Sequence, residues 1–318
     1  MIEVENLSKR YGDKLAVDGL SFIVQPGIVT GFLGPNGAGK STTMRMIAGL
    51  DKPTAGRVTV NGHDYRSATA PMAELGVLLE AKAVHTGRSA RNHLLALGQT
   101  NGVSHRRVDQ VIDLVGLQQV AGKRVGGFSL GMGQRLGVAS ALLGNPQTMV
   151  LDEPVNGLDP EGVLWMRTML KSLAAQGHTV FVSSHLMSEM AVTATRLVVI
   201  GRGRLIADTT VADFVARATS HTVTVRTPEA ARLRNTLLQS NETALAVTPT
   251  EDQPNLLQVE GMTAEHIGDI AWRSHIPIYE LTTRKASLEE AFMTLTQDSV
   301  EYRSTDNHTI ADTAAAAA

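Results

Sequence analysis

Short apolar runs rich in β-branched residues recur along the chain at 20–24, 28–33, 57–60, 76–79, 148–151 and 179–183, and they predict strands. Helical spacing of apolar residues occupies 40–49, 106–115, 134–143 and 161–175, between or after these runs. That alternation predicts an α/β fold with a mostly parallel sheet. Asn61-Gly62 and Gly201-Arg202-Gly203 are tight-turn signals that add an antiparallel β subdomain. Helical periodicity across 89–126 predicts a helical insertion between two core strands. Beyond about residue 218 the pattern changes. Strands at 223–225, 256–259 and 276–281 combine with helical stretches at 228–238, 264–274 and 287–295 into a small α+β domain of βαββαβ-like order. The expected organisation is therefore a first domain over 1–217, a second over 218–297, and a disordered polar tail over 298–318 that ends in alanines.

The length of 318 residues suits two domains better than one. Hydrophobic residues at 43% and charged residues at 19% supply a core and argue against a disordered chain. With 29 Lys and Arg against 31 Asp and Glu, and no polybasic block, the chain lacks the electrostatic footprint of a nucleic-acid binder. The absence of cysteine removes disulfides, thiolate metal sites and thiol nucleophiles. The first residues form no signal sequence, and no run of about 18 apolar residues occurs, so the chain is expected neither to be exported nor to span a membrane. Any membrane role would pass through a separate polypeptide.

The strongest chemical signal follows the strand at 28–33. Gly34-Pro35-Asn36-Gly37-Ala38-Gly39-Lys40-Ser41-Thr42 matches the phosphate-loop pattern completely, with a strand before it and a helix after it. Glycines there let backbone amides approach phosphate oxygens, and the helix start adds its positive dipole end. In this motif Lys40 contacts the β and γ phosphates and the Ser41 hydroxyl ligates Mg²⁺. The run Thr148-Met149-Val150-Leu151 ends in Asp152-Glu153-Pro154. In a parallel sheet these acids arrive at the same edge as the phosphate loop. Asp152 is suited to Mg²⁺, and Glu153 to orienting water or accepting its proton.

Between the insertion and the acids lies Phe128-Ser129-Leu130-Gly131-Met132-Gly133-Gln134-Arg135. This segment resembles the signature of the ABC ATPase family, usually written L-S-G-G-Q: Ser129 and Gly131 match it, whereas Phe128, Leu130 and Met132 depart from it. The departures resemble the variant found in ATP-binding subunits of drug and antibiotic exporters of the ABC-2 type. Further family positions fall in order over about the first 215 residues. Tyr11 resembles the aromatic residue that stacks on adenine, Gly157-Leu158-Asp159-Pro160 resembles the D-loop, and His185 resembles the switch histidine that reaches the γ-phosphate. Glu80 stands where the family carries glutamine. A carboxylate there adds negative charge beside the triphosphate and cannot donate as an amide does, though it can still accept from water or ligate Mg²⁺.

The resemblance implies a P-loop NTPase of ABC type that binds ATP with Mg²⁺ and hydrolyses it. The signature of one subunit closes over ATP held by the phosphate loop of another, in a homodimer or with a related ATPase subunit. The expected partner is a separate polytopic membrane permease, which places the chain at the cytoplasmic face of the plasma membrane. The loop 81–87 leads into the insertion and by resemblance receives a helix of that permease. Ser287-Leu288-Glu289-Glu290-Ala291-Phe292 resembles the carboxyl-terminal region of antibiotic-resistance exporter ATPases. The competing function is a soluble ABC ATPase acting on a non-transport partner. A phosphate-loop module without turnover is disfavoured by Asp152, Glu153 and His185.

Overall fold

The computed structural model describes residues 1–80, 84–218, 222–239, 246–250, 253–284 and 286–296. The tail expected at 298–318, and residues 81–83 of the expected docking loop, lie outside them. The chain opens with β1 (Ile2–Tyr11) and β2 (Lys14–Val24), enters the interior as β3 (Val29–Leu33), turns into α1 (Lys40–Ile47), and returns beside β1 as β4 (Ala55–Val60). After α2 (Pro71–Glu74) come β5 (Leu75–Leu78), the helices α3 (Ala90–Gln99), α4 (His105–Leu114) and α5 (Leu130–Leu142), and then β6 (Thr148–Leu151). Next follow α6 (Pro160–Ala175), β7 (Thr179–Ser183), α7 (Met187–Thr193), β8 (Arg196–Gly201) and β9 (Arg204–Thr210).

Two sheets result. One is antiparallel, ordered β2-β1-β4; the other has six strands, ordered β5-β6-β7-β3-β8-β9. The pairs β5/β6, β6/β7, β3/β7 and β3/β8 are parallel. Every residue of β3, β6 and β7 is buried, which explains why these strands read as unbroken apolar runs rather than alternating ones. At the edge, Arg202 and Gly203 both take positive φ (48° and 79°), as a two-residue turn between twisted strands requires.

The long strand β1 is not predicted by the sequence pattern. Its inward residues are Ile2, Val4 and Leu7, a spacing interrupted by register shifts and by Asn6 at φ 46°. A bulge moves Leu7 back to the core side and breaks the period of two. The two sheets are joined by three rings. Phe22 of β2 lies 5.9 Å from Phe32 of β3 and 5.7 Å from Phe181 of β7, and the last two are 4.9 Å apart. All three are fully or almost fully buried, with Met44 and Ile47 of α1 in the same cluster.

A second compact unit spans Thr210–Leu295. It begins with α8 (Val211–Ala218) and continues through β10 (Thr222–Arg226), α9 (Ala230–Gln239), β11 (Ala246–Thr250), β12 (Gln253–Glu260), α10 (Ala264–Arg273), β13 (Glu280–Arg284) and α11 (Leu288–Thr296). Its sheet is antiparallel, ordered β11-β12-β10-β13. Val223, Val225, Leu257 and Val259 pack with Leu233, Leu237 and Ile267 of the helices. The strand expected at 276–281 begins later, at Glu280. Ile276 is buried in this core but precedes the ladder, because His275 has φ 53° and Pro277 has no N–H to donate. The start of α11 is fixed by a reciprocal cap in which Ser287 Oγ accepts from Glu290 N at 3.1 Å and Glu290 accepts from Ser287 N at 2.8 Å.

Because the ring cluster ties the phosphate-loop strand to both sheets, Phe181→Ala is expected to cost about 3–5 kcal/mol of stability. Urea-dependent hydrogen exchange at β3 and β7 amides measures that loss.

Candidate functional site

The parallel register decides what meets at the top of the sheet. Leu151 lies opposite Val182 and Phe32 opposite Ser183, so the loops after β3, β6 and β7 leave the sheet side by side. After β3 the chain wraps through Gly34 to Gly39 into α1. Gly39 is the N-cap, at φ 102°, and a Cβ there would lie 2.6 Å from the Ala16 carbonyl oxygen. A Cβ on Gly34 would lie 2.5 Å from the Ile200 carbonyl oxygen. Only glycine fits either place. With glycine as its cap, α1 has no side chain bonded to its first amides, which suits them to an anion.

Lys40 folds over this loop, its Nζ donating to the carbonyls of Gly34 at 2.6 Å and Pro35 at 3.1 Å. Burial pushes the ammonium below its ordinary pKa, and the nearby carboxylates of Glu153 and Asp152 oppose that shift. Ser41 Oγ donates to Asp152 Oδ2 at 2.8 Å. The hydroxyl of Ser183 donates to the other oxygen of Asp152 and accepts from the Glu153 amide at 2.9 Å.

Glu153 has a φ of 51°, in the left-handed region where a non-glycine residue is strained. Its surroundings over-determine that conformation. Ser183 takes its N–H, and Gln134 Nε2 of α5 donates to its carbonyl at 3.1 Å. The Glu153 carboxylate is in turn bonded to His185 Nδ1 at 2.8 Å and accepts from the His185 amide at 3.2 Å. With Nδ1 bonded to the carboxylate, Nε2 is the ring nitrogen left for a ligand.

A cavity of about 430 Å³ is lined by Tyr11, Lys14, Ala16, the loop residues Asn36 through Thr42, Asp152 and Glu153. Tyr11 is half exposed, and its hydroxyl donates to Asp51 Oδ2 at 2.8 Å. Burial of the phenol, with the Asp51 carboxylate beside it, raises its pKa. Gly34 and Pro35 do not line the cavity, but they hold Lys40 through their carbonyls.

Three other site residues expected from sequence lie elsewhere. Ser129 caps α5, its Oγ accepting from Met132 N at 3.2 Å, and Asp159 caps α6 by accepting from Gly162 N at 2.9 Å. Gly131 packs against the 157–158 turn, where an added Cβ would lie 3.1 Å from the Gly157 carbonyl oxygen. None of the three forms a wall of the cavity, and neither does His185, which is bonded to the wall residue Glu153. Glu80 is exposed, just past β5. Two contributors are not singled out by the sequence pattern. Ser183 looks like an ordinary strand end, and Gln134 belongs to the signature segment without any visible sign that it reaches Glu153.

The chemistry of the donor set fits a hard divalent cation. Ser41 and Asp152 present oxygens at hydrogen-bond distance from one another. Among the described residues no three His, Cys, Asp or Glu side chains cluster into a metal cage. Mg²⁺ held by few protein oxygens and completed by phosphates and water matches that arrangement. Among the described residues, no helix is long and apolar enough to cross a membrane.

The family model described as ABC transporter matches residues 17–156, and a domain of unknown function matches 221–289. The chain is 41% identical over 209 residues to the bacitracin transport ATP-binding protein BcrA of Bacillus licheniformis, covering 65% of this chain and 68% of that protein. It is 31% identical over 307 residues to the linearmycin resistance ATP-binding protein LnrL of Bacillus subtilis, covering 93% and 98%. A solved structure described as the ATP binding subunit of an ABC transporter superposes with a TM-score of 0.63 at 26% identity, covering 68% of this chain and 92% of that one.

Since Ser183 fixes both acids, Ser183→Ala is expected to lower ATPase kcat by about tenfold or more, as misplacement of reacting groups does, with a smaller change in KM. Steady-state kinetics on the folded variant checks this. An unchanged kcat would show that Gln134 and His185 suffice to hold Glu153 in place.

Proposed function

The chain belongs to the ABC transporter ATP-binding family, and from that premise we propose that it is the ATP-hydrolysing subunit of an exporter of drug-like or antibiotic molecules, working as a dimer beneath a separate polytopic permease at the cytoplasmic face of the membrane. One observation carries this reading: the phosphate loop, Asp152 and Glu153 line one cavity and His185 is bonded to Glu153, while Ser129, Gly131 and Asp159 lie outside it. A single chain thus holds the parts for two half-sites.

In this reading Tyr11 stacks on adenine, and the amides from Gly37 to Thr42 with Lys40 hold the phosphates. Ser41 and Asp152 would hold Mg²⁺, which would supply neutralisation of the phosphate charge. Glu153 accepts a proton from, or orients, the attacking water, and His185 contacts the γ-phosphate. Attack is in line, and phosphate release reopens the dimer. Ser129 and Gly131 face the ATP of the other subunit at the start of α5, with Asp159 beside them. Glu80 and the loop that follows it connect this chemistry to the permease, where a carboxylate in place of an amide changes the coupling. The export assignment draws on the relatives named for bacitracin transport and linearmycin resistance.

Glu153→Gln is the decisive variant. It is expected to accumulate an ATP-bound dimer on size exclusion, with turnover reduced by about a hundredfold or more, as loss of a general base does. A variant that hydrolyses ATP normally, or that remains monomeric with ATP, would overturn the assignment. Affinity purification from detergent-solubilised membranes is expected to bring down a polytopic protein, whereas recovery of only a non-membrane partner would favour a soluble ABC ATPase.

A further inference from the structure

The phosphate end of the cavity is held by the sheet, but Tyr11 projects from the last residue of an antiparallel strand and is half exposed. A ring in such a place ordinarily samples several rotamers, and a mobile ring stacks poorly because its ordering has an entropic cost. Here it is held on two sides. Its hydroxyl donates to Asp51 Oδ2 at 2.8 Å, and Lys9 Nζ sits over the ring 4.9 Å from its centroid. Lys9 is itself fixed by a 2.7 Å bond to the Lys52 carbonyl.

Asp51 is more than a surface acceptor. Arg45, in the last turn of α1, grips the same carboxylate with Nε at 2.9 Å and Nη2 at 3.2 Å. The amides of Leu50 and Asp51 both donate to the Arg45 carbonyl, at 2.9 and 3.3 Å. The side chain and the backbone therefore both tie Asp51 to the end of α1. The beginning of α1 is the phosphate loop. Its eight residues set the two ends about 12 Å apart at the α-helical rise.

The geometry points to Asp51 as the positioning residue of the nucleotide base: through Arg45 it makes α1 a fixed spacer between phosphate loop and Tyr11, and it presents to a purine the ring face that Lys9 leaves uncovered. This inference rests on the stacking role proposed for Tyr11. Asp51 touches neither ATP nor the reacting atoms; it acts through the phenol. Stacking geometry should therefore depend on a carboxylate that sequence patterns place in an ordinary turn after a helix.

The test separates base binding from phosphate binding. Asp51→Ala is expected to raise the KM for ATP about three- to tenfold with kcat within about twofold, the range an aromatic contact supplies. Tyr11→Phe, which removes only the hydroxyl, should reproduce that rise, and the double variant should add nothing beyond Asp51→Ala, in which the phenol–carboxylate bond is already lost. Asp51→Asn keeps an oxygen acceptor for the phenol and is expected to restore KM to within about twofold of the parent. Competitive inhibition by Mg²⁺-tripolyphosphate, which has no base, is expected to be unchanged in every variant.

If Asp51→Ala leaves KM unchanged while Tyr11→Ala raises it, stacking stands and the role of Asp51 is overturned. Equal loss of affinity for ATP and tripolyphosphate would make Asp51 a support of α1 rather than of the base, and overturns the proposal too. An unchanged KM in Tyr11→Ala would remove the stacking role itself.

Discussion

The parallel register of β6, β7 and β3 is the constraint on which the site depends. Because Leu151 pairs with Val182 and Phe32 with Ser183, three loops end level at one edge of the sheet. A shift of one residue would turn each side chain to the opposite face. Phe22, Phe32 and Phe181 lock this register from within, since two of the rings belong to strands that carry the site. The hydroxyl of Ser183 then converts alignment into chemistry by joining the Asp152 carboxylate to the Glu153 amide. Burial makes that joint costly to break, for a lost partner would leave desolvated polar groups unpaired.

Much of this was legible in the sequence wherever chemistry narrows the choice of residue. At Gly34 and Gly39 any Cβ would collide with a backbone carbonyl, so the motif is written in residue identity itself. The strands β3, β6 and β7 were legible because burial on both faces demands continuous apolar runs. The helical spacing over 134–143 made α5 legible, although the helix starts four residues earlier, where Ser129 caps it.

What escaped the sequence depends on partners distant in the chain. A serine ending an apolar strand is common, and only the fold brings Ser183 to residues some thirty positions earlier. Gln134 crosses a shorter interval of 19 residues to reach Glu153. The strand β1 was hidden by its bulge, and β11, with its Pro249, offers no clean alternation. The late start of β13 follows from a proline that cannot join a ladder, although Ile276 beside it is as buried as a strand residue. In each case local preference was overruled by a contact or a backbone constraint.

The bond from Gln134 to the Glu153 carbonyl has a thermodynamic consequence. It connects the first turns of α5 to a residue whose backbone is held in a strained conformation. If the position of α5 biases that strained turn, then whatever occupies the hydrolytic cavity must bias α5 in return, by the same free energy. Occupancy at the Ser129 end of the helix and occupancy beside Glu153 are then linked functions, each multiplying the affinity of the other by a common factor.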